Sequence, residues 1–335
     1  MDTMAPPTSG QAHRRRPALG SKLTLLLVSI SLCILAVEVI FRITRPQRAF
    51  RAASELENFR LNRQDLTQYF EIDPGFGFRP ILGTGLYSEY GTRANEYAIE
   101  KPPDTTRVLF LGDSVTARGH IVEAIRDLYG DAHYEYWNAG VESFNTVQEV
   151  NYYHRYNAAV VADHVIVAFH LNDFGTTPIA FMNADRAIVV YAPNRPLREI
   201  SPWLFRHSYT YRFAIGLVSE TTTDRQGVLD EVRASLLDLR RTLDESRTTL
   251  TVLILPTLLP IDEWSVDDRE RRAIIRRLLD ELDITYVDLW DPLSEALGDG
   301  VAVMEDEGDV WHPSPAVAAY FAREVQETGV LGRRE

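Results

Sequence analysis

Five short aliphatic or β-branched runs, at residues 107–111, 134–138, 165–169, 250–255 and 285–289, are separated by stretches long enough to hold helices. Several are apolar at nearly every position, as suits strands covered on both faces. Strands that alternate with helical stretches build a parallel sheet, so the pattern predicts an α/β fold around a buried five-stranded parallel sheet.

The intervening segments carry helix signals. Ser265 stands where an N-cap is needed with Asp268 in the first turn, and Ile274, Ile275, Leu278, Leu279 and Leu282 then form one apolar stripe. Leu229, Val232, Leu236, Leu239 and Leu243 form another before the fourth strand. Ser314 followed by Pro315 reads as N-cap and first residue of a last helix, with Val317, Tyr320 and Phe321 inward and Gly329 ending it.

Ahead of this body, residues 23–41 contain one charge, Glu38. At about 1.5 Å per residue such a helix reaches roughly 28 Å, close to the ~30 Å hydrocarbon core of a bilayer. The run predicts a transmembrane anchor at 21–42 that contacts the lipid bilayer through residues 23–41. A cleaved signal peptide and a buried helix are the alternatives, and no small-x-small cleavage site stands directly behind the run. Glu38 sits near the end of the span, where it can snorkel and pair with Arg42 one turn on. Arg14, Arg15, Arg16 and Lys22 precede the run and Arg42, Arg45, Arg48 and Arg51 follow it, so charge leaves its orientation open.

The net charge is −13 over 335 residues. Residues 1–63 carry ten Lys/Arg against four Asp/Glu, which leaves residues 64–335 with 25 against 44, a balance of −19. An acidic body repels phosphate backbones, so nucleic acid is not an expected partner. The single cysteine, Cys33, lies in the apolar run, which excludes an intrachain disulfide and cysteine-based metal sites. No cofactor or metal is expected. Residues 1–20 read as a disordered basic tail and 43–103 as a connector with an N-terminal extension. Residues 174–220, with Pro178, Pro193, Pro196, Pro202 and a run of aromatics from Trp203 to Phe213, interrupt the rhythm and read as an inserted lid or flap in a domain spanning 104–331. Those aromatics either line an acyl or glycan pocket or bury the insertion against the sheet, and a membrane-facing surface is a third reading of the segment.

The first strand leads into Gly112-Asp113-Ser114. A serine between a strand and a helix sits at the carboxyl edge of the sheet, where open α/β folds place ligands, and suits a nucleophile. A helix cap is the competing reading. Thr116 stands where a Gly-x-Ser-x-Gly elbow needs its second glycine, which disfavours an α/β-hydrolase elbow. A serine nucleophile needs a base and the base an orienting carboxylate; Asp309 and His312, three residues apart before the last helix, can supply both. The alternative for that pair is a surface loop leading into the helix.

Gly112-Asp113-Ser114, Asn138-Ala139-Gly140-Val141, Asn172-Asp173 and Asp309-Val310-Trp311-His312, in this order and after successive strands, resemble the blocks of SGNH/GDSL hydrolases over residues 107–328. The anchor and connector resemble that family's membrane-bound branch with a single N-terminal span. The resemblance implies a flavodoxin-like three-layer α/β/α fold (the SGNH hydrolase fold), with Ser114 as nucleophile, His312 as base and Asp309 as its orienting acid. It implies an oxyanion hole made of the Ser114 and Gly140 N–H groups and the Asn172 amide. One departure stands out: His170 replaces the glycine usual two positions before the asparagine. It shares a strand face with Asn172 and either contacts substrate or packs at the strand end.

The expected activity is hydrolysis of an acyl ester, possibly O-acetyl, on a cell-envelope glycan or a similar acylated carbohydrate, through an acyl-Ser114 intermediate. An O-acyltransferase passing the acyl group to a sugar hydroxyl, and a non-catalytic envelope scaffold or glycan-binding protein, are the alternatives. The resemblance places the catalytic body outside the cytoplasm on a single-pass anchor. Protein partners and oligomeric state are not legible.

Overall fold

The computed structural model describes residues 19–44, 53–55, 69–95, 97–182, 188–191, 200–219 and 224–332. Of the features expected above, most of the basic tail, Arg45, Arg48, Arg51, Pro193 and Pro196 lie outside the described residues. A long helix α1 (Leu19–Thr44) is followed by β1 (Ala53–Glu55), β2 (Phe70–Asp73) and β3 (Gly77–Pro80). The body begins with β4 (Thr106–Gly112), α2 (Ser114–Arg118), α3 (His120–Tyr129), β5 (Tyr134–Asn138), α4 (Thr146–Arg155) and β6 (His164–His170). The insertion holds β7 (Ile179–Met182), β8 (Ile188–Tyr191), α5 (Pro202–His207) and α6 (Tyr209–Ser219). The body resumes with α7 (Arg225–Ser246), β9 (Thr249–Leu255), α8 (Val266–Glu281), β10 (Thr285–Asp288), α9 (Trp290–Gly298) and α10 (Pro315–Thr328).

Each predicted strand is present within one residue of its expected ends. The five pair in parallel in the order β10-β9-β6-β4-β5. Counted in chain order this is the flavodoxin-like sequence 2-1-3-4-5, which places a ligand crevice at the carboxyl ends of β4 and β6, where the winding reverses. Alternate residues of β4 serve opposite faces. Val108 and Phe110 pack with α3, α9 and α10, while Leu109 and Leu111 pack with α4, α7 and α8, so the fold has three layers. Each of these four fully buried side chains contributes about 1.5–3 kcal/mol relative to exposure.

The predicted caps are in place. Ser265 accepts the N–H of Asp268, Ser314 accepts that of Val317 with Pro315 behind it, and Gly329 ends α10 at φ 70°. One inward expectation fails in part: Tyr320 is half-buried and donates its hydroxyl to Asp299 at 2.8 Å, because its position lies at the rim of the stripe.

One charged residue is sealed inside the β4 layer. Arg107 binds Glu135 at 2.6 Å and donates to the carbonyls of Ala98, Ile99 and Val160, with its guanidinium over the Trp137 ring. Each guanidinium nitrogen has a partner, which makes the buried charge tolerable, and this arginine ties the extension before β4 to the sheet.

Part of the predicted connector is folded. β2 and β3 form a hairpin whose Phe70, Phe76 and Phe78 share a cluster with Tyr87, Phe144 and Tyr152. β1 pairs with β8, and β8 with β7, in a small antiparallel sheet that joins connector to insertion. Inside the insertion Phe205 stacks on Tyr191 at 4.4 Å, so that aromatic serves packing. The insertion also reaches α1: Phe213 of α6 lies 4.9 Å from Phe41.

Helix α1 contains a stretch, Lys22–Thr44, with a mean hydropathy of 2.6 and no residue of its apolar window buried in the protein. It is long and apolar enough to cross a membrane, and a signal sequence has the same character.

Candidate active site

Strand β4 turns into α2 through Gly112, where a Cβ would stand 2.1 Å from Thr116 Oγ1. No side chain fits there. Asp113 is the N-cap: its carboxylate accepts the Val115 N–H at 2.9 Å and its carbonyl accepts the Ala117 N–H at 3.0 Å. Ser114 is therefore the first helical residue, and capping is carried out by its neighbour. After five residues Gly119, at φ 86°, ends the helix.

The loop after β5 clamps this short helix from the side. Asn138 donates its amide to the Thr116 carbonyl at 2.6 Å and accepts the Gly140 N–H at 2.9 Å. A Cβ on Gly140 would lie 2.3 Å from the Ala117 nitrogen, so only glycine permits that approach. The Gly140 N–H, expected to face an oxyanion, is thus engaged by Asn138, because the Asn-x-Gly turn closes on itself.

His312 arrives from a loop tied down at three places. Leu258 donates to the Val310 carbonyl, Glu305 to that of His312, and Ser314 to that of Val303, each at 2.9 Å. His312 Nε2 lies 2.8 Å from Ser114 Oγ, and Nδ1 lies 2.7 Å from Asp309 Oδ2. The other Asp309 oxygen accepts the N–H groups of Trp311 and His312 at 3.2 and 3.3 Å, which fixes the carboxylate. An Asp309 acceptor at Nδ1 puts the imidazole proton there and leaves Nε2 to accept from the Ser114 hydroxyl. The predicted Ser114, His312 and Asp309 are thus in one hydrogen-bonded line.

Burial pushes the His312 pKa down, the Asp309 hydrogen bond pushes it back up, and the Arg118 charge lowers it again; the balance lies below the ordinary 6.5. For Asp309, burial raises the pKa but is outweighed by the hydrogen bond and charge of His312, so the carboxyl is held below its usual range. Arg118, one turn after Ser114, stands 3.6 Å from Asp309 and pairs with Glu305. It is not among the expected site residues; its signal is a cation four positions past Ser114 on the same helix.

Asn172 lies exposed just past β6, and His170 is 1% exposed beneath it. The expectation that His170 contacts substrate gives way to packing: its ring lies edge-on to Trp311 at 5.1 Å, and Nδ1 is 3.0 Å from Asn172 Oδ1. Nδ1 also lies 3.3 Å from the Asn172 backbone N–H, but Nε2 is buried without a partner and Oδ1 is the nearer neighbour, so we assign the ring proton to Nδ1, where it serves the shorter contact. Burial lowers the His170 pKa to about 4, and the ring is neutral. With Asn172 Oδ1 accepting from His170, the Asn172 amide NH₂ is turned away from the imidazole.

Among the described residues no group of three or more His, Cys, Asp or Glu is arranged to hold a metal.

No family model and no curated protein matches the chain. Among solved structures it is similar to a catalytic mutant of Axe2, an acetylxylan esterase from Geobacillus stearothermophilus, at 14% identity and TM-score 0.46, over 70% of this chain and 97% of that one. LAE5, an alpha/beta hydrolase enzyme from the metagenome of Lake Arreo, Spain, shows 14% identity and TM-score 0.45 over 68% and 96%. The acetyl xylan esterase AlAXEase shows 16% and 0.44 over 66% and 98%. Likenesses this distant leave the chemistry to the site's own geometry. That geometry joins a flavodoxin-like α/β/α sheet to a Ser–His–Asp line at its switch point.

Proposed function

We propose that this chain is a membrane-anchored serine ester hydrolase with Ser114 as nucleophile. The observation that carries the reading is the unbroken line Ser114 Oγ–His312 Nε2 and His312 Nδ1–Asp309, at 2.8 and 2.7 Å, at the sheet's switch point. In the first step Ser114 Oγ bonds to the acyl carbon as its proton passes to His312 Nε2; the imidazolium then protonates the departing alkoxide. Water, deprotonated by the same nitrogen, attacks the acyl-Ser114 ester, and the proton returns to the serine as the acid leaves. Asp309 holds the ring tautomer and stabilises the imidazolium without taking its proton.

The oxyanion would be met by the Ser114 N–H, a first-turn helix donor, and by the Asn172 amide, with the Gly140 N–H, bound to Asn138 Oδ1 at 2.9 Å, as a shared third donor. Each such donor is worth on the order of 10²–10³ in rate. In this reading helix α1 is the anchor, residues 104–331 form the catalytic domain outside the cytoplasm, and the substrate is an O-acylated envelope carbohydrate. The four motif blocks support the acyl-serine chemistry, and the resemblance to the family's single-span membrane branch supports the envelope setting.

The test is turnover of a chromogenic acetyl ester with an oligosaccharide acceptor present. Release of acetate by the wild type and its loss in Ser114→Ala are expected. Acetylated sugar as the main product would replace hydrolysis by transfer, and unchanged turnover in Ser114→Ala would overturn the assignment of the nucleophile.

A further inference from the structure

Glu38, the single acid in the apolar run, is bound by the insertion. Its Oε1 accepts the Tyr209 N–H at 3.0 Å, and its Oε2 accepts the Thr210 N–H and the Ser208 hydroxyl, both at 2.9 Å. A carboxylate at the first turn of α6 meets two otherwise unsatisfied N–H groups and the positive end of the helix dipole. Arg42 completes the joint. Its Nε donates to Glu38 Oε1 at 3.0 Å, its Nη2 donates to the His207 carbonyl at 2.8 Å, and its guanidinium lies 5.7 Å from the Tyr209 ring. The pairing of Glu38 with Arg42 is thus one part of a larger contact. Phe41 against Phe213 extends it along the two helices.

The joint fixes a height. Tyr209 is level with Glu38 and Phe213 with Phe41, so α6 rises beside α1 in the same direction. Glu38 lies six residues before Thr44, the end of the apolar stretch, or about 9 Å at 1.5 Å per residue. The end of α5 is therefore held below the top of the apolar stretch. Helix α5 has two faces: Phe205 is buried on Tyr191, whereas Trp203 is 66% and Leu204 39% exposed. The Trp203 ring stacks on His207, whose carbonyl Arg42 holds. The Arg206 Nε donates to the Ala180 carbonyl at 3.1 Å, which ties the same short helix to β7.

We infer that α5 and the start of α6 form an interfacial arm, which seats Trp203 and Leu204 at the boundary between headgroups and acyl chains of the bilayer that α1 crosses and is clasped to α1 through Glu38. The occupant is lipid because the exposed Trp203 ring rests on His207, whose carbonyl is held by Arg42 of the helix that enters the bilayer. Tryptophan and leucine on one face of a short helix suit that boundary, with the indole N–H left toward water. The clasp also explains how a carboxylate is accommodated in an apolar run: it is neutralised by Arg42 and by helix donors. The arm then sets the catalytic body's orientation above the membrane. This inference rests on α1 being a span.

The test uses the full chain in phosphatidylcholine vesicles, in a Cys33→Ala background, with an environment-sensitive fluorophore on a cysteine at one position at a time: Leu27→Cys, Leu204→Cys or Val266→Cys. Nitroxide-labelled lipid is expected to quench the probe at 27 and at 204 and to leave the probe at exposed Val266 unquenched. Quenching at 27 with none at 204 overturns the arm while keeping the span; no quenching at either position overturns the span itself. A blue-shifted but unquenched probe at 204 would mean a protein partner on that face and also overturns the inference. Adding Glu38→Leu is expected to abolish most of the quenching at 204 and none at 27. Full quenching at 204 in that variant overturns the role of Glu38. Ester turnover in the same vesicles confirms that the variant is folded.

Discussion

Asp113 caps the helix that Ser114 begins, accepting the Val115 N–H at 2.9 Å and leaving the serine hydroxyl to His312 at 2.8 Å. Two adjacent residues divide two tasks that one serine could not perform together. Ser114 is held by a neighbour's hydrogen bonds, while Asn138 and Gly140 fix the helix from the side.

The pH dependence of turnover follows from the groups around His312. Burial and the Arg118 charge hold its pKa below 6.5. The free base is the active form, so the acid limb of kcat/KM should fall below pH 6.5. Removing a cation beside an imidazole favours its protonation, so Arg118→Met is expected to move that limb to higher pH. A pH–rate profile of both proteins checks this; a limb that stays put or moves down would contradict it.

In the proposed mechanism His170 acts on the reaction through Asn172. Without the Nδ1–H, the Asn172 amide loses the contact that orients it. His170→Leu is expected to lower kcat by ~10–100-fold with little change in KM, since an oxyanion donor counts mainly in the transition state. His170→Gln, which keeps a donor on a flexible arm, should recover part of the loss. Equal losses in both variants, or an effect confined to KM, would count against positioning.

The stability of the sheet depends on the sealed pair Arg107–Glu135. Removing one partner strands a buried charge, so Glu135→Leu should destabilise the protein by about 3–5 kcal/mol. Replacing both, Arg107→Met with Glu135→Leu, should cost less than the two single losses added together. Chemical unfolding of the singles and the double measures this, and simple additivity would refute the coupling.

Glu142 is pushed up to about 7 by burial, against an ordinary 4.5. The folded protein therefore keeps a proton that the unfolded chain releases, and this contribution to stability is full below about pH 4.5 and lost as pH rises through 7. Buried His170 titrates in the opposite sense, so the quantity to follow is the difference in Tm between wild type and Glu142→Gln. The variant should gain on the wild type between pH 5 and pH 8. A constant difference would show that Glu142 titrates normally in the folded state.

The central sheet was legible because its strands are aliphatic runs bounded by helix signals, as at Val165–Phe169 within β6. The caps at Ser265 and Ser314 were legible because capping is local chemistry. Ser114, Asp309 and His312 were named from motif order, and the structure brings them within hydrogen-bonding distance. Other features depend on distant partners. The pairing of β1 with β8 joins Ala53 to Tyr191 through three residues without a period of their own. Glu38 carries no sign in sequence that its partners are Ser208, Tyr209 and Thr210, some 170 positions away. The Gly140 N–H was expected to be open, and its engagement by Asn138 depends on the exact turn that the pair makes.

The most direct measurement is labelling by a fluorophosphonate, followed by mass spectrometry of the adduct. The account predicts one covalent adduct on Ser114 in the wild type, none in Ser114→Ala, and labelling slowed on the order of 10³-fold or more in His312→Ala. A folded wild-type protein that takes no label, or an adduct on another residue, would contradict it.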